Sequence, residues 1–267
     1  MEWIADQYDQ FQKRYQLKNG LDLISKLEAI TNLKDRDILD LGCGNGELSL
    51  VLADKIGLNG SITAVDRDEG MLEVFKEKAG SNRVKICRED LLPWLDSDRN
   101  RYDIVFSNAV FHWLSTAANL LGTFAGIYKV LKYKGCLAVR FSLEGNAEET
   151  KGFLEKQLRY FLNDNSITLS RSRFNYKQCA TMIEQCGFEL LESIEKVFVP
   201  FSEPESHFQW MIKSQPLLNY LNANQLELFK SYLYQQWKEK PVQVKSHHGV
   251  FLAQKPASSP FDNANRS

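Results

Sequence analysis

The segment that most constrains this chain runs from Asp37 to Glu47 and reads Asp-Ile-Leu-Asp-Leu-Gly-Cys-Gly-Asn-Gly-Glu. Its apolar beginning, Ile38 to Leu41, is typical of a strand that is covered on both faces of a sheet. Three glycines then permit tight turns and a close approach of the backbone to a ligand: Gly42, Gly44 and Gly46. From Leu48 to Ala53 the pattern is helical. The sequence therefore predicts a strand, a ligand-binding glycine loop and a helix in direct succession.

Strand patterns alternate with helical patterns from this loop to Phe141. The strands predicted after the first cover 61–65, 83–87, 102–106 and 136–141. Helices are predicted over 47–56, 70–79 and 116–131, the last ending at a turn on Gly135. This alternation predicts a parallel, doubly wound sheet, because right-handed crossovers place helices on both faces.

Beyond Phe141 the pattern changes. Helices are predicted over 148–162, over 176–186 and within 204–238, and strands over 188–201 and 249–254. These two strands are expected to pair in antiparallel fashion and close the sheet. The prediction is an α/β fold with seven strands, mostly parallel with the last one antiparallel, and a helical cap.

Four parts follow from these patterns. The first is residues 1–30, of which 3–30 are expected to be helical in two pieces that break near Asn19-Gly20. The first piece is either a solvated helix or a lid over the glycine loop. Residues 31–141 are the predicted ligand-binding core. Residues 142–255 supply the cap and the closing strands, and 256–267 are a polar tail predicted to be disordered.

Charge and cysteine content argue against several classes of protein. A formal net charge of -1 over 267 residues gives no reason to expect nucleic acid or an anionic membrane as a partner. The five cysteines are odd in number and form no Cys-x-x-Cys pair, which favours free thiols in a reducing compartment. The N-terminus has no signal-peptide pattern, and no apolar run approaches the ~20 residues of a membrane span. We expect a cytoplasmic protein, monomeric or weakly dimeric.

Polar residues end the predicted strands, and in a doubly wound sheet these ends converge on the ligand. They are the glycine loop, Asp66, Asp90 and Ser107-Asn108. A dinucleotide loop of the form Gly-x-Gly-x-x-Gly needs its third glycine at position 47, which is Glu47 here, and this carboxylate would repel a pyrophosphate. Asp66 follows the loop at the distance at which an acid binds ribose hydroxyls. The pattern favours a nucleoside without phosphates over a nicotinamide dinucleotide.

Three segments together carry a family resemblance: Asp40-Leu-Gly-Cys-Gly-Asn-Gly, Ala64-Val-Asp66 and Glu89-Asp90-Leu91. Over residues 36–141 the chain resembles the class I S-adenosylmethionine-dependent methyltransferases, which implies a Rossmann-like fold. By that resemblance the loop, including Cys43, faces the methionine part of the cofactor. Asp66 would hold the ribose, Arg67 and Met71 would flank the adenine, and Asp90 and Leu91 would contact its amine and its ring. Taken singly, Asp66 or Asp90 is equally well explained as the N-cap of a helix.

A narrower resemblance begins at Ser107-Asn-Ala-Val-Phe-His-Trp-Leu114. This segment is similar to one in the methyltransferases of trans-aconitate, of the malonyl carrier in biotin synthesis and of juvenile hormone acid, although the first two more often have Gln at the position of His112. The resemblance implies methylation of a small-molecule carboxylate. It also implies that the helix from Tyr8 through Tyr15 to Gln16 closes over the cofactor.

A carboxylate is already ionised at neutral pH and needs no base, so such a site requires hydrogen-bond donors and apolar walls. Candidate donors are Gln12, His112 and Trp113, and Trp210 is a candidate wall. His112 is also interpretable as a general base or as a structural residue. Arg140 is interpreted first as a structural or rim charge and second as a partner for an anionic substrate. His247-His248 are predicted surface residues, and no metal site is expected.

Three alternatives remain at this stage. The first keeps the cofactor but transfers the methyl group to nitrogen, carbon or a hydroxyl of a specialised metabolite. The second is a non-catalytic binding protein on the same fold, and the third is a nicotinamide-dependent reductase.

Overall fold

The computed structural model describes residues 10–79, 84–114, 116–169, 174–200, 202–213 and 217–257, and of residues 10–14, 213 and 218 only the backbone. In this part of the chain one sheet is built from β1 (Asp37–Leu41), β2 (Ser61–Asp66), β3 (Val84–Arg88), β4 (Tyr102–Asn108), β5 (Leu131–Ser142), β6 (Glu189–Phe198) and β7 (Ser246–Gln254). The strand order is β3-β2-β1-β4-β5-β7-β6. Strands β1 to β5 pair in parallel, whereas β7 is antiparallel to both β5 and β6. The predicted fold is confirmed.

Helices cover both faces of the sheet. They are α1 (Gln10–Ile30), α2 (Glu47–Ile56), α3 (Glu69–Lys78), α4 (Leu91–Ser97), α5 (Ala117–Val130), α6 (Glu148–Leu162), α7 (Tyr176–Gln185), α8 (Pro204–Lys213) and α9 (Ala223–Glu239). Apolar residues of α1, α2 and α3 form the core on one face, and those of α4, α5 and α7 form the core on the other. Within β1, Ile38 belongs to the first core and Leu39 and Leu41 to the second, which explains why this strand has apolar residues on both faces.

Helices α6, α8 and α9 form a third apolar core beyond the sheet, around Leu154, Phe208 and Phe229. These helices lie within the predicted cap region, 142–255. The division of the chain into four parts stays a prediction, and residues 258–267 of the predicted tail lie outside the described residues.

Helix α1 is continuous, so the predicted break at Asn19-Gly20 is wrong. A Cβ built on Gly20 would lie 2.3 Å from Cδ1 of Leu48. The glycine therefore allows α1 to pack closely on α2, and it does not interrupt the helix despite its low intrinsic helix propensity.

Two further elements differ from the sequence expectation. Gly135, the predicted turn, lies inside β5, where a Cβ would be 2.8 Å from the carbonyl oxygen of Lys132. Strand β7 begins at Ser246, three residues before the expected Gly249. Gly249 lies inside the strand, where a Cβ would be only 2.5 Å from the Phe251 ring. The extension of β7 brings His247 and His248 into the sheet.

None of the helices in the described ranges combines the length and apolar character that a bilayer-spanning helix needs. All five cysteines are free thiols.

Two glycines one turn apart in α5 give the first testable prediction. A Cβ on Gly126 would lie 2.8 Å from Cβ of the buried Leu95 in α4, whereas the nearest atom to a Cβ on the exposed Gly122 is 3.5 Å away. We expect Gly126→Ala to lower the free energy of unfolding by about 1–3 kcal/mol through overpacking. Gly122→Ala should raise it by about 0.5–1 kcal/mol through helix propensity. Urea denaturation of both variants tests the pair, and equal effects would contradict the close packing of α4 on α5.

Candidate active site

The carboxyl ends of the parallel strands meet at one edge of the sheet, and most of the predicted site residues lie there. The glycine loop leaves β1, Asp66 ends β2, and Asn108 ends β4. Asn108 is the register partner of Arg140 in β5, so the two side chains leave the same face of the sheet side by side.

The three glycines of the loop have left-handed backbones, with φ of 76°, 53° and 78° for Gly42, Gly44 and Gly46. A Cβ on Gly42 would lie 2.2 Å from Cγ2 of Val110, and one on Gly46 would lie 2.0 Å from the Phe75 ring. A Cβ on Gly44 would meet no atom within 4 Å. Two of the glycines therefore serve packing, whereas Gly44 presents its backbone to open space, as a ligand-binding loop requires.

Asp66 ties the loop to the end of β2. Its Oδ2 accepts a hydrogen bond from the backbone N–H of Gly44 at 2.9 Å, and its Oδ1 accepts one from Asp68 at 2.9 Å. Burial raises the pKa of Asp66, although these two donors partly offset the rise. The N-cap of α3 is Asp68, which accepts from the N–H of Met71, so capping does not explain Asp66.

Asp40 is a second buried acid next to the loop, and the sequence analysis did not single it out. It is 2% exposed, and its Oδ2 accepts a hydrogen bond from the Ser49 hydroxyl. Burial, together with the nearby charge of Asp66, raises the pKa of Asp40 to about 7 even though Ser49 stabilises the ionised form. Its one sequence signal is that it interrupts an otherwise apolar buried strand.

Asp90 occupies the N-cap position of α4, yet its side chain makes no capping hydrogen bond. It lies 3.5 Å from the guanidinium of Arg67, and both side chains are more than half exposed. Met71 is buried and Leu91 is half-buried. The residues predicted to surround the adenine therefore lie near the starts of α3 and α4, the helices that follow the neighbouring strands β2 and β3.

The other end of this edge carries positive charge. Arg140 is 4% exposed, so it is not a rim charge. In the described part of the chain it forms no ion pair with a carboxylate, and its Nη2 has no hydrogen-bond partner. Burial lowers the pKa of Arg140. Lys151 of α6 is also buried, and no pattern in the sequence distinguished it from the other lysines.

His112 lies in the short 3-10 helix Phe111–Trp113 that follows β4, and its ring lies 4.9 Å from that of Trp113. Burial, followed by the charges of Lys151 and Arg140, lowers the pKa of His112 to about 3. Its Nδ1 and the Oδ1 of Asn108 are both buried without a hydrogen-bond partner among the described residues. These atoms and Nη2 of Arg140 are available to a polar ligand.

Helix α1 brings one further predicted residue to this end. The Tyr15 ring lies 6.0 Å from the guanidinium carbon of Arg140, and Asn108 donates to the backbone carbonyl of the next residue, Gln16, at 3.5 Å. Trp210 of α8 and Tyr15 pack against the same small cluster, Ala147 and Val244. Tyr8 and the side chain of Gln12 lie outside the described residues.

His248 is buried, so the prediction that it is a surface residue is wrong. It lies within β7 opposite Ser142, because that strand begins earlier than the sequence indicated. Among the described residues, no three His, Cys, Asp or Glu side chains are grouped closely enough to hold a metal ion.

Comparison with known proteins identifies the core of the chain. Residues 38–135 match the family described as "Methyltransferase domain". This part of the chain is a methyltransferase domain. The methyltransferase domain starts in β1 and ends in β5, so it contains the glycine loop, Asp66, Asp90 and His112. The predicted resemblance to the S-adenosylmethionine-dependent methyltransferases is confirmed.

Two curated relatives have the activities that the sequence resemblance named. The chain is 36% identical over 175 residues to a malonyl-[acyl-carrier protein] O-methyltransferase from Priestia megaterium, a match that covers 64% of this chain and 60% of the relative. It is 34% identical over 141 residues to a trans-aconitate 2-methyltransferase from Rhizobium rhizogenes, covering 52% and 50%. The chain thus spans half to three-fifths of the length of these two relatives.

A solved structure supports the fold. The phosphoethanolamine N-methyltransferase 2 of Haemonchus contortus, in complex with S-adenosylhomocysteine, aligns with a TM-score of 0.58 at 18% identity. The alignment covers 90% of this chain and 52% of that one. At this identity the likeness shows a shared fold and nothing about activity.

The open space at Gly44 gives the second prediction. Gly44→Ala should lower the free energy of unfolding by only about 1–2 kcal/mol, the cost of a left-handed alanine, because its Cβ meets no protein atom. It should weaken binding of S-adenosylhomocysteine at least tenfold, as measured by isothermal titration calorimetry. Gly46→Ala, which clashes with Phe75, is the matched control and should lose more stability. Wild-type affinity in Gly44→Ala would show that the ligand lies elsewhere.

The buried Asp40 gives the third prediction. Because its folded-state pKa of about 7 exceeds the ordinary pKa of 3.8, the folded protein holds a proton over this window, and ionisation destabilises the fold as pH rises through it. Asp40→Asn removes this effect. Its stability relative to wild type should therefore increase by a few kcal/mol between about pH 4 and pH 7, at about 1.4 kcal/mol per pKa unit.

Urea denaturation across this pH range measures the effect. The matched control is Asp103→Asn. Burial opposes ionisation of Asp103, but Lys132 and the Asp37 amide outweigh it and lower the pKa of Asp103. This control should lose stability near neutral pH. A difference between Asp40→Asn and wild type that does not vary with pH would contradict the assignment of Asp40.

Proposed function

We propose that this protein is a cytoplasmic S-adenosylmethionine-dependent methyltransferase that converts the carboxylate of a small molecule into a methyl ester. The observation that carries the proposal is the division of charge along the carboxyl edge of the sheet. Asp66 ends β2 and Asp90 follows β3 at one side, and Arg140 and Lys151 lie at the β4–β5 side. A cationic ligand is favoured at the first end and an anionic one at the second.

The residues at the acidic end fit the cofactor. Gly44 leaves room for a ligand against the backbone, and Asp66 keeps lone pairs that can accept hydrogen bonds from ribose hydroxyls. Phosphates are disfavoured there by the carboxylates, whereas the positively charged groups of S-adenosylmethionine are not. When bound, this cofactor supplies an electrophilic methyl group. We infer that Asp66, Arg67, Met71, Asp90 and Leu91 hold its nucleoside and the loop holds its methionine part.

The cationic end fits a carboxylate acceptor. A buried guanidinium with an unpaired Nη2 is costly unless an anion binds it, and carboxylates are well matched to its planar donors. The relatives named for malonyl-carrier and trans-aconitate methylation also act on carboxylate-bearing substrates. We infer that Arg140 binds and orients the acceptor carboxylate next to the methyl donor, with Asn108 between the two halves of the site.

His112 is assigned an orienting role. With a pKa of about 3 it is neutral near pH 7 and a poor proton acceptor, which fits an acceptor that needs no base. Trp113, adjacent to His112, and Trp210, near Tyr15, are assigned as walls that keep water from the acceptor. Exclusion of water favours attack by the carboxylate on a cationic donor, because opposite charges are neutralised in that step.

The test uses the full chain, methyl-labelled S-adenosylmethionine and a panel of di- and tricarboxylic acids and acyl thioesters. We expect a labelled product that mild alkali cleaves, since esters are base-labile. A product that survives alkali, as a methylamine does, would contradict carboxylate methylation but keep the cofactor assignment. Failure of both S-adenosylmethionine and S-adenosylhomocysteine to bind in isothermal titration would overturn the proposal as a whole.

Arg140→Met gives the fourth prediction, and it separates a functional residue from a structural one. Loss of a buried charge contact to the substrate should lower kcat/KM for the acid about 100-fold, close to 3 kcal/mol. The free energy of unfolding should stay level or rise, because the variant removes a buried charge without an ion-pair partner. Lys26→Met, which breaks a partly exposed pair with Glu192, is the control and should leave kcat/KM unchanged. A strongly destabilised Arg140→Met would instead indicate a structural role.

A further inference from the structure

His248 is a buried residue that the proposed reaction does not use directly. It lies in β7 as the register partner of Ser142 and is 6% exposed. Arg140 precedes Ser142 by two residues in β5, so both point to the same face of the sheet as His248. His248 therefore borders the cationic end of the site from the neighbouring strand.

A chain of polar contacts runs through its ring. Nε2 of His248 lies 3.4 Å from the Tyr15 hydroxyl, and Nδ1 lies 3.5 Å from the Ser142 hydroxyl. The Tyr15 hydroxyl donates to Oγ of Ser246 at 3.2 Å. The His248 ring also hydrogen-bonds the backbone of Phe141, so both of its nitrogens lie among polar groups, and the direction of each bond follows from which nitrogen carries the ring proton.

This series of polar contacts ends at Tyr15, which faces the guanidinium of Arg140. The Tyr15 ring is the aromatic surface 6.0 Å from the Arg140 guanidinium carbon. A side-chain hydrogen bond with Tyr15 partly offsets the lowering of the Arg140 pKa by burial. Arg140 has a long side chain, and its Nη2 has no protein partner in the described ranges. Tyr15 thus limits the positions open to the Arg140 side chain, and β7 limits those open to Tyr15 through Ser246 and His248.

A neutral histidine suits this place. Burial, and then the charges of Arg140 and His112, keep the pKa of His248 far below its ordinary value. As a neutral ring, His248 can therefore take part in hydrogen bonds without adding another positive charge next to Arg140. Phe198 of β6 lies 6.0 Å from the His248 ring and 6.2 Å from the Tyr15 ring, so the contact is enclosed on the β6 side.

We propose that His248 is a positioning residue for the acceptor substrate: through its contact with the Tyr15 hydroxyl it holds Tyr15 against Arg140 and fixes the guanidinium for the carboxylate. This inference rests on the proposed function. It goes further by assigning to the last strand a share in acceptor recognition. Correct placement of a binding group avoids the entropic cost of ordering it when the substrate arrives.

The experiment compares four variants in the full chain. His248→Leu removes both ring nitrogens, and His248→Gln retains a donor at the place of Nε2. Tyr15→Phe removes the hydroxyl but keeps the ring, and the fourth variant combines Tyr15→Phe with His248→Leu. We expect His248→Leu to raise KM for the acid about tenfold while the Kd of S-adenosylhomocysteine stays within about twofold. His248→Gln should restore most of the affinity for the acid.

The double variant decides whether His248 acts through Tyr15. If it does, adding His248→Leu to Tyr15→Phe should change KM by less than about twofold, because the contact is already lost. Additive effects would overturn the proposal. So would an unchanged KM in His248→Leu, or an equal loss in the Leu and Gln variants.

Hydrogen exchange of the backbone amides of residues 15–20 provides a readout that needs no turnover. We expect faster exchange in His248→Leu than in wild type, and wild-type exchange in His248→Gln. If wild type methylates no carboxylic acid, the proposed function fails. Hydrogen exchange of residues 15–20 then still tests whether His248 holds Tyr15 in place. Equal exchange in all variants would then overturn the positioning role.

Discussion

The hydrogen bond from the Gly44 N–H to the Asp66 carboxylate joins the ends of β1 and β2, and the shape of the site depends on it. It holds the loop against the sheet while Gly42 and Gly46 pack too tightly for any side chain. The loop is thus defined by the protein itself before any ligand arrives. The acid to which we assign the ribose hydroxyls therefore also fixes the backbone of the loop to which we assign the methionine part of the cofactor.

The site concentrates ionisable groups that a stable core would avoid. Asp40 and Arg140 are almost completely buried, and Arg140 has an atom without a partner among the described residues. Such groups lower stability unless a ligand of opposite charge binds. The extensive apolar cores on both faces of the sheet make this cost tolerable, in keeping with the general trade between stability and activity.

The sequence predicted the sheet well because each parallel strand there carries a local signal: an apolar run, a strand-end polar residue and a following helix. It failed where a glycine serves tertiary packing. Gly20 was interpreted as a helix break, yet it makes room for Leu48, which is distant in the sequence. Gly249 was interpreted as a strand boundary, yet it makes room for Phe251, two residues further along β7.

For the site, residues at strand ends were predictable, since topology alone brings them together, although their individual roles stay predictions. Lys151 and His248 were not, because they reach the site from α6 and β7, whose placement depends on long-range pairing. Asp40 was visible as an acid in an apolar strand, but only its contact with Ser49 and its burial show why it matters.

The unbroken course of α1 has a consequence for how the two ligands communicate. Near its middle, Gly20 rests on Leu48, in the helix that leaves the glycine loop, and one turn earlier Tyr15 faces Arg140. One helix therefore touches both halves of the site, so a tilt at one contact is transmitted to the other. For the proposed reaction this contact links the binding of the donor to the binding of the acceptor, and any change in affinity that one ligand causes in the other is matched by the same factor in return.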